Sequence, residues 1–284
     1  MTDLSAATKR LPIPGAQIPA IGLGTFRLTG ASAVDSISTA LTLGYRHLDT
    51  AAMYDNEKEV GEGLRASGMA RNQVFITTKV WTTDIAKGDL QASAQASLSR
   101  LKLDQVDLLL IHWPNKTIPL AQSIEALCDA RQRGYARNIG VANFPAAMLD
   151  DAVRLAATHG EKIATNQCEY HPRLSQAKVL EACRRHGVVF VSYSPLGQGS
   201  LMADTAIASI AARHGKTVSQ IVLRWHVQQE GVAAIPKAGS AGHQRDNLDV
   251  FGFKLPDEDM RAISALAKPD GRLVKPGFMP EWDR

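Results

Sequence analysis

Residues 106–112 read VDLLLIH, an almost unbroken apolar run that ends on a histidine, and residues 74–79, VFITTK, repeat the pattern with a lysine at the end. A third stretch, GYRHLDTAAMY at 44–54, puts Asp49 after a short apolar run and Tyr54 five residues later. Runs this apolar and rich in Val, Ile and Thr read as strands buried on both faces, the signature of a parallel sheet. Working outward, similar runs fall at 21–24, 46–49, 136–141, 163–167, 188–193 and 232–236. Between them lie amphipathic helical patterns: Val34, Ile37 and Leu41; Leu90, Ala94, Leu98 and Leu101; Leu120, Ile124, Leu127 and Cys128; Ile207, Ile210 and Ala211. Gly44, Gly68, Gly134, Gly160, Gly187 and Gly215 each follow a periodic segment, where a helix stop is expected.

Eight strand–helix units without an intervening linker or charge block predict one domain over residues 1–284. The expected fold is α/β, a (β/α)₈ TIM barrel, for which about 250 residues is typical. The surplus falls at the ends. LPIPGAQIPAI, at 11–21, reads as an N-terminal β-hairpin turning at Pro14 and Gly15, placed to plug the barrel floor. Beyond Asp257 an extra C-terminal helix and then an irregular C-terminal tail, KPDGRLVKPGFMPEWDR, are expected. A doubly wound sheet would give the same alternation, so the count of units carries the choice.

Bulk properties narrow the function. Lys plus Arg number 32 and Asp plus Glu 28, a net charge of +4 with no basic cluster, which argues against nucleic-acid binding. The start, MTDLSAATKR, has no apolar core of signal-peptide length, and no stretch approaches the ~18 apolar residues of a membrane span. Cys128, Cys168 and Cys183 are odd in number and sit in apolar surroundings, so they read as buried free thiols in a reducing compartment. A cytoplasmic protein with no membrane partner is expected.

Several short patterns point elsewhere and fail on inspection. GLGTFR at 22–27 has Arg27 where a dinucleotide fingerprint needs its third glycine. GKT at 215–217 has Ile210 where a P-loop needs its first, so it reads as a helix stop followed by an N-cap. Tyr54 and Lys58 have a Tyr-x-x-x-Lys spacing without the Rossmann context that would give it meaning. Cys168, Glu169 and His171 are close in sequence, but alternate strand residues face opposite ways and Pro172 ends the run, so no metal is expected.

Asp49, Lys79 and His112 fall at the carboxyl ends of three consecutive strands, where a barrel of this kind builds its active site. Singly, an N-cap, a snorkelling lysine and a core histidine would account for them. Jointly, with Tyr54 turned back over the mouth, they suggest a proton donor. A free phenol has a pKa of about 10, too high for an efficient acid near neutrality. A cationic Lys79 beside it should lower that value, with Asp49 as the counter-ion that keeps Lys79 charged. A neutral His112 can hydrogen-bond a substrate carbonyl. The set lacks an electron source, which a cofactor must supply.

The motifs GLGTF, GYRHLDTA..Y.NE, FITTK.W, VDLLLIHWP, IGVANF, NQCEYHP, SYSPLG and IPK, in that order, resemble those of the aldo-keto reductases. AAMYDNE, LDQVDLLLIHWP, VLRWHVQ, NLDVFGFKL and the DGRL…PEWD ending are most similar to the bacterial members that reduce 2,5-diketo-D-gluconate or methylglyoxal. The resemblance implies a barrel that binds NADPH in an extended pose and passes hydride to an aldehyde or ketone. Tyr54 would be the general acid, supported by Lys79, Asp49 and His112. It further implies that Asn143 and Gln167 hold the carboxamide and that Tyr193 stacks on the nicotinamide. Ser194, Leu196 and Gly197 would lie over the pyrophosphate, and Gly24, Thr25 and Phe26 would border nicotinamide and substrate. Lys237 would contact the 2′-phosphate and Asn247 the adenine. A monomer is expected, since monomers are common in that group.

Three positions depart from the family pattern: Ala142 and Ala238 replace frequent serines, and His243 replaces a frequent arginine. A histidine offers neither the fork nor the permanent charge of Arg, so NADPH should be preferred to NADH by a reduced margin, with Ser240 and Arg245 compensating. The loops after the strands are short, which predicts an open site for small carbonyl compounds. Phe26, Trp81 and Trp113 should give it aromatic walls beside Tyr54 and His112, and Trp282 of the tail should close one side. Two other readings remain at this stage: an NADPH-binding regulatory subunit of the same fold, and a barrel lyase or isomerase using Lys79 as a Schiff base.

Overall fold

The computed structural model describes residues 9–283. Most of the MTDLSAATKR segment therefore lies outside the described residues. The chain opens with a hairpin, β1 (Arg10–Ile13) and β2 (Ala16–Pro19), paired antiparallel with Ile13 opposite Ala16. Pro14 with Gly15 at φ +65° is the combination a type II turn favours. Leu11, Ile13 and Ile18 point into the hydrophobic core.

Eight parallel strands follow: β3 (Leu23–Gly24), β4 (His47–Asp49), β5 (Phe75–Val80), β6 (Val106–Ile111), β7 (Ala136–Ala142), β8 (Ile163–Glu169), β9 (Val189–Tyr193) and β10 (Val232–Ala234), each paired with its successor. The sheet curls until its ends meet. Gly22 N donates to Ala234 O at 2.9 Å, Gly24 N to Pro236 O at 3.1 Å, and Ala234 N to Ala20 O at 2.8 Å. The fold is thus a (β/α)₈ barrel, which rules out the doubly wound sheet. β10 stops at Ala234, short of the predicted 236, where Pro236 has no N–H to continue the ladder.

Outside the barrel lie α1 (Gly30–Leu43), α2 (Glu57–Ala66), α3 (Asp89–Leu101), α4 (Leu120–Gln132), α5 (Ala146–Thr158), α6 (Ala177–His186), α7 (Thr205–His214), α8 (Val218–Gln228), α9 (Ala241–Leu248) and α10 (Asp257–Ser264). The sequence expectation for GKT is met. Gly215, at φ +60°, ends α7, and Thr217 caps α8 by accepting from Gln220 N at 3.2 Å. Helix α10 is the extra C-terminal helix, and the described residues beyond it form no regular element. Among the described residues no helix is long and apolar enough to cross a membrane. Cys128, Cys168 and Cys183 are free and buried.

Candidate active site

The ends of β4, β5 and β6 meet at one mouth of the barrel, and a 3₁₀ turn at Ala52–Tyr54 folds the phenol back over them. Lys79 is wholly buried. Its Nζ donates to Asp49 Oδ1, to Thr50 O at 2.8 Å and to Tyr54 Oη at 3.3 Å. The other Asp49 oxygen accepts from Gln167 Nε2 at 2.7 Å. The ammonium also stands 4.9 Å from the Tyr54 ring centroid. Three acceptors satisfy the three donors of an ammonium, so Lys79 is held as a cation. Burial alone would lower its pKa, but the Asp49 carboxylate and the Tyr54 oxygen outweigh it and hold the value above the ordinary one. A lysine so enclosed is poorly placed to attack a carbonyl, which removes the basis of the Schiff-base reading.

One expectation needs correction. Lys79 does favour the Tyr54 phenolate, but burial acts more strongly in the other direction, and Asp49 adds to it. The phenol pKa therefore lies above its ordinary value, not below. Tyr54 is protonated near neutral pH, as a proton donor must be. The ammonium limits the cost of the phenolate left behind without making the resting phenol acidic.

His112 is buried against the Tyr54 and Trp81 rings, with centroids 5.6 and 5.2 Å away in edge arrangements. Burial, with the Lys79 charge behind it, lowers its pKa well below the usual histidine value. It is neutral at physiological pH. Its Nδ1 has no hydrogen-bond partner among the described residues.

Asn143 follows β7, and Gln167, two residues before the end of β8, accepts from its N–H through the backbone oxygen at 2.9 Å on the same rim. Asn143 has φ +64°, a conformation few residues other than glycine accept readily. Its Nδ2 donates to His112 O at 2.9 Å, and its Oδ1 accepts from Tyr193 Oη at 2.9 Å. The amide thus ties the Tyr193 ring to the His112 strand, and Oδ1 retains a second lone pair. Thr25 is buried and donates through Oγ1 to Asp49 O at 2.9 Å, with Gly24 next to it on β3. Ala142 is buried in β7, where no hydroxyl is available.

Farther along the rim, Ser194 (φ +49°), Leu196 and Gly197 form the turn after β9. Beyond β10, Lys237, Ser240, His243 and Arg245 are all exposed around the start of α9. Ser240 caps that helix, accepting from His243 N at 3.4 Å. An exposed helix N-terminus with cationic side chains around it suits a phosphate. Asn247 differs from its companions: it is buried and faces the Tyr45 phenol, whose pKa it lowers against the larger effect of burial. The residues present therefore fit a phosphate-bearing nicotinamide cofactor along one rim, with Asn247 behind it.

Phe26, Trp81 and Trp113, the candidate aromatic walls, lie around Tyr54 and His112 together with Phe278, which sequence reasoning missed. Phe26 is exposed, 5.0 Å from the Tyr54 ring. Trp81 and Trp113 both stand edge-on to Phe278 of the tail, at 5.7 and 5.8 Å. Trp282, expected to close this side, instead stacks under Arg272, whose guanidinium lies 3.6 Å from its ring centroid. Phe278 carried no periodic signal, lying in an irregular segment among Pro and Gly. Lys58 pairs with Glu62, so the Tyr-x-x-x-Lys spacing is incidental. Among the described residues, no three His, Cys, Asp or Glu side chains are grouped to hold a metal.

Known proteins are similar to this chain in sequence and fold. The chain is 42% identical over 269 residues to the methylglyoxal reductase DkgB of Escherichia coli O157:H7, covering 94% of this chain and 99% of that one. A crystal structure provisionally named 2,5-diketo-D-gluconic acid reductase B superposes with a TM-score of 0.94 at 44% identity, covering 98% of each chain. An aspartate-to-alanine mutant of Gox0644, solved in complex with NADPH, matches with a TM-score of 0.86 at 33% identity, over 94% of this chain and 97% of that one. The profile of the Aldo/keto reductase family matches residues 20–268, and the chain belongs to that family of oxidoreductases.

Proposed function

We propose that the protein uses NADPH to reduce small aldehydes and ketones, keto-sugar acids and methylglyoxal among them, with Tyr54 as the proton donor. The observation that carries this reading is the wholly buried Lys79 ammonium, bound at once by Asp49, Thr50 O and the Tyr54 oxygen. A reduced nicotinamide, when bound, supplies the hydride.

The chain's own residues do the rest. Neutral His112 presents a ring nitrogen to the substrate oxygen and orients the carbonyl between itself and Tyr54. As negative charge develops on that oxygen, Tyr54 Oη gives up its proton, and Lys79 stabilises the phenolate. Asp49 keeps Lys79 charged throughout, while Gln167 holds the second Asp49 oxygen. Asn143, through its free lone pair, and Gln167 hold the carboxamide. Tyr193, its hydroxyl fixed by Asn143, stacks on the ring, bordered by Gly24, Thr25 and Phe26. Ser194, Leu196 and Gly197 cover the pyrophosphate. Lys237, with Ser240, His243 and Arg245, binds the 2′-phosphate, and Asn247 lies behind the adenine. Since His243 supplies no permanent charge, the preference for NADPH over NADH is smaller than an arginine there would give. The aromatic walls Trp81 and Trp113 receive the carbon substituent of the substrate. The protein acts as a monomer in the cytoplasm, with no nucleic-acid or membrane partner.

The test is NADPH oxidation followed optically across a panel of aldehydes and ketones. Turnover of at least the small dicarbonyls is expected. Tight NADPH binding with negligible turnover of every member would overturn the reading in favour of a regulatory subunit.

A further inference from the structure

The tail after α10 is fixed to the barrel by a carboxylate that the proposed chemistry does not use. Glu169 ends β8, beside Tyr193 of β9, and is wholly buried. Its Oε1 accepts from Leu273 N at 2.7 Å and its Oε2 from Val274 N at 2.9 Å. His171 Nε2 lies 3.1 Å from Oε1, and Arg272 Nη1 is 4.0 Å from Oε2. A buried carboxylate is costly unless hydrogen bonds surround it, and two of the three here come from consecutive backbone amides of the tail.

The rest of the tail is built on that anchor. Arg272 stacks on Trp282, which brings the two ends of the intervening segment together. Asp283 Oδ2 accepts from Ala146 N at 2.8 Å, fixing the far end at the start of α5. The segment between forms a strap, and Phe278 projects from it. That ring is 40% exposed and meets Trp81 and Trp113 edge-on. Trp81 in turn touches His112. A continuous chain of contacts therefore runs from Glu169, through the strap, to the group that orients the substrate oxygen.

We infer that Glu169 is a positioning residue for substrate selection. By clamping the Leu273 and Val274 amides it places Phe278 as a wall of the site, one that favours carbonyl compounds with a planar aryl substituent. Glu169 touches neither substrate nor cofactor; it acts only through the strap. A phenyl group packs edge-to-face against Phe278, Trp81 and Trp113, an interaction a methyl group cannot make to the same degree. This rests on the carbonyl-reductase reading, so the test includes a readout that needs no turnover.

Wild type, Glu169→Gln, Phe278→Ala and the double variant are compared with phenylglyoxal and methylglyoxal. Binding of unreactive benzamide and acetamide to the NADPH complex is measured alongside. Glutamine keeps the shape of the side chain but offers one acceptor where two amides donate. Amide hydrogen exchange at Leu273 and Val274 is followed in parallel. Should Glu169→Gln not fold, Leu273→Pro removes one of the two donors and leaves the carboxylate in place.

Glu169→Gln is expected to raise KM for phenylglyoxal about tenfold, with kcat within about twofold and the methylglyoxal KM within about twofold. Phe278→Ala should also raise the phenylglyoxal KM, and the double variant should be no worse than Phe278→Ala. The 273 and 274 amides should exchange faster in Glu169→Gln and remain protected in Phe278→Ala. Benzamide affinity should fall with the phenylglyoxal KM effect, which holds even if no substrate turns over; the strap would then stand while the reductase reading fell. The inference is overturned if both substrates are affected equally, if the two substitutions add, if the amides stay protected without the carboxylate, or if wild type does not distinguish benzamide from acetamide.

Discussion

Replacing Asp49 by Asn removes one charge and leaves the shape of the site intact. In the wild type the carboxylate faces two donors, Lys79 Nζ and Gln167 Nε2, in a pocket where Asp49 and Lys79 are essentially unexposed. A charge pair about 3 Å apart at an effective dielectric of about 20 is worth about 5 kcal/mol. Thr50 O and Tyr54 Oη remain to solvate the ammonium, so the expected loss of unfolding free energy at pH 7 is about 3–4 kcal/mol. The new amide also places an NH₂ opposite one of the two donors. Gln167 must turn to offer its oxygen, and it then no longer presents that oxygen toward the carboxamide.

The alkaline limb of the stability curve carries the sharper signature. In the wild type, burial pulls the Lys79 pKa down, but Asp49 and Tyr54 together outweigh it and leave the folded value raised. The stabilisation is complete below the unfolded lysine value of about 10.4 and disappears as pH rises through the folded value. Without Asp49 the burial effect prevails, the folded value falls below about 10.4, and that site gains stability as pH rises toward it. Urea unfolding of both proteins from pH 7 to 10 should show the deficit of Asp49→Asn shrinking with pH. A deficit below about 1 kcal/mol that does not change with pH would refute the reasoning.

Other outcomes follow from the same geometry. His112, neutral through burial and then the Lys79 charge, should show no imidazole titration near its usual pH of about 6.5 in NMR spectra; because its folded pKa is depressed, its contribution to stability is full above that pH and is lost below it. Gly61→Ala should destabilise by about 2–4 kcal/mol in thermal unfolding even though Ala favours helix, since a Cβ there would lie 2.2 Å from Leu101 O where α2 meets α3. Native protein should react slowly with a thiol reagent and then expose three thiols on unfolding, as burial pushes Cys128 and Cys168 up to about 12 and raises Cys183 as well. His243→Arg should widen the ratio of kcat/KM for NADPH over NADH about tenfold, the worth of one charged hydrogen bond to phosphate.

The barrel was legible because its strands are buried on both faces, and 106–112 or 74–79 cannot be read as anything exposed. Thr217 was legible as a cap because helix stops and starts are local chemistry. The Asp49, Lys79 and His112 cluster could be foreseen because strand ends in a barrel converge by geometry alone. What could not be read depends on burial depth and on distant contacts. The direction of the Tyr54 pKa turns on how far the phenol is desolvated, which no spacing encodes. The Glu169 clamp joins residues more than 100 positions apart, and Phe278 sits in a segment with no periodicity to betray its partners. Helix α9 is held inward where Tyr45 of the segment after α1 donates its buried hydroxyl to Gln244 O at 3.1 Å, a contact that no local spacing encodes.

The central claim is that the Tyr54 hydroxyl delivers the proton beside the Lys79 ammonium. Single-turnover reduction of methylglyoxal by Tyr54→Phe, with NADPH affinity measured on the same protein, tests it most directly. Phe keeps the ring contacts with Phe26 and His112 and deletes only the oxygen. The account predicts a rate lower by about 10²–10⁴-fold with cofactor affinity within about twofold of wild type. A rate within about threefold of wild type would contradict it.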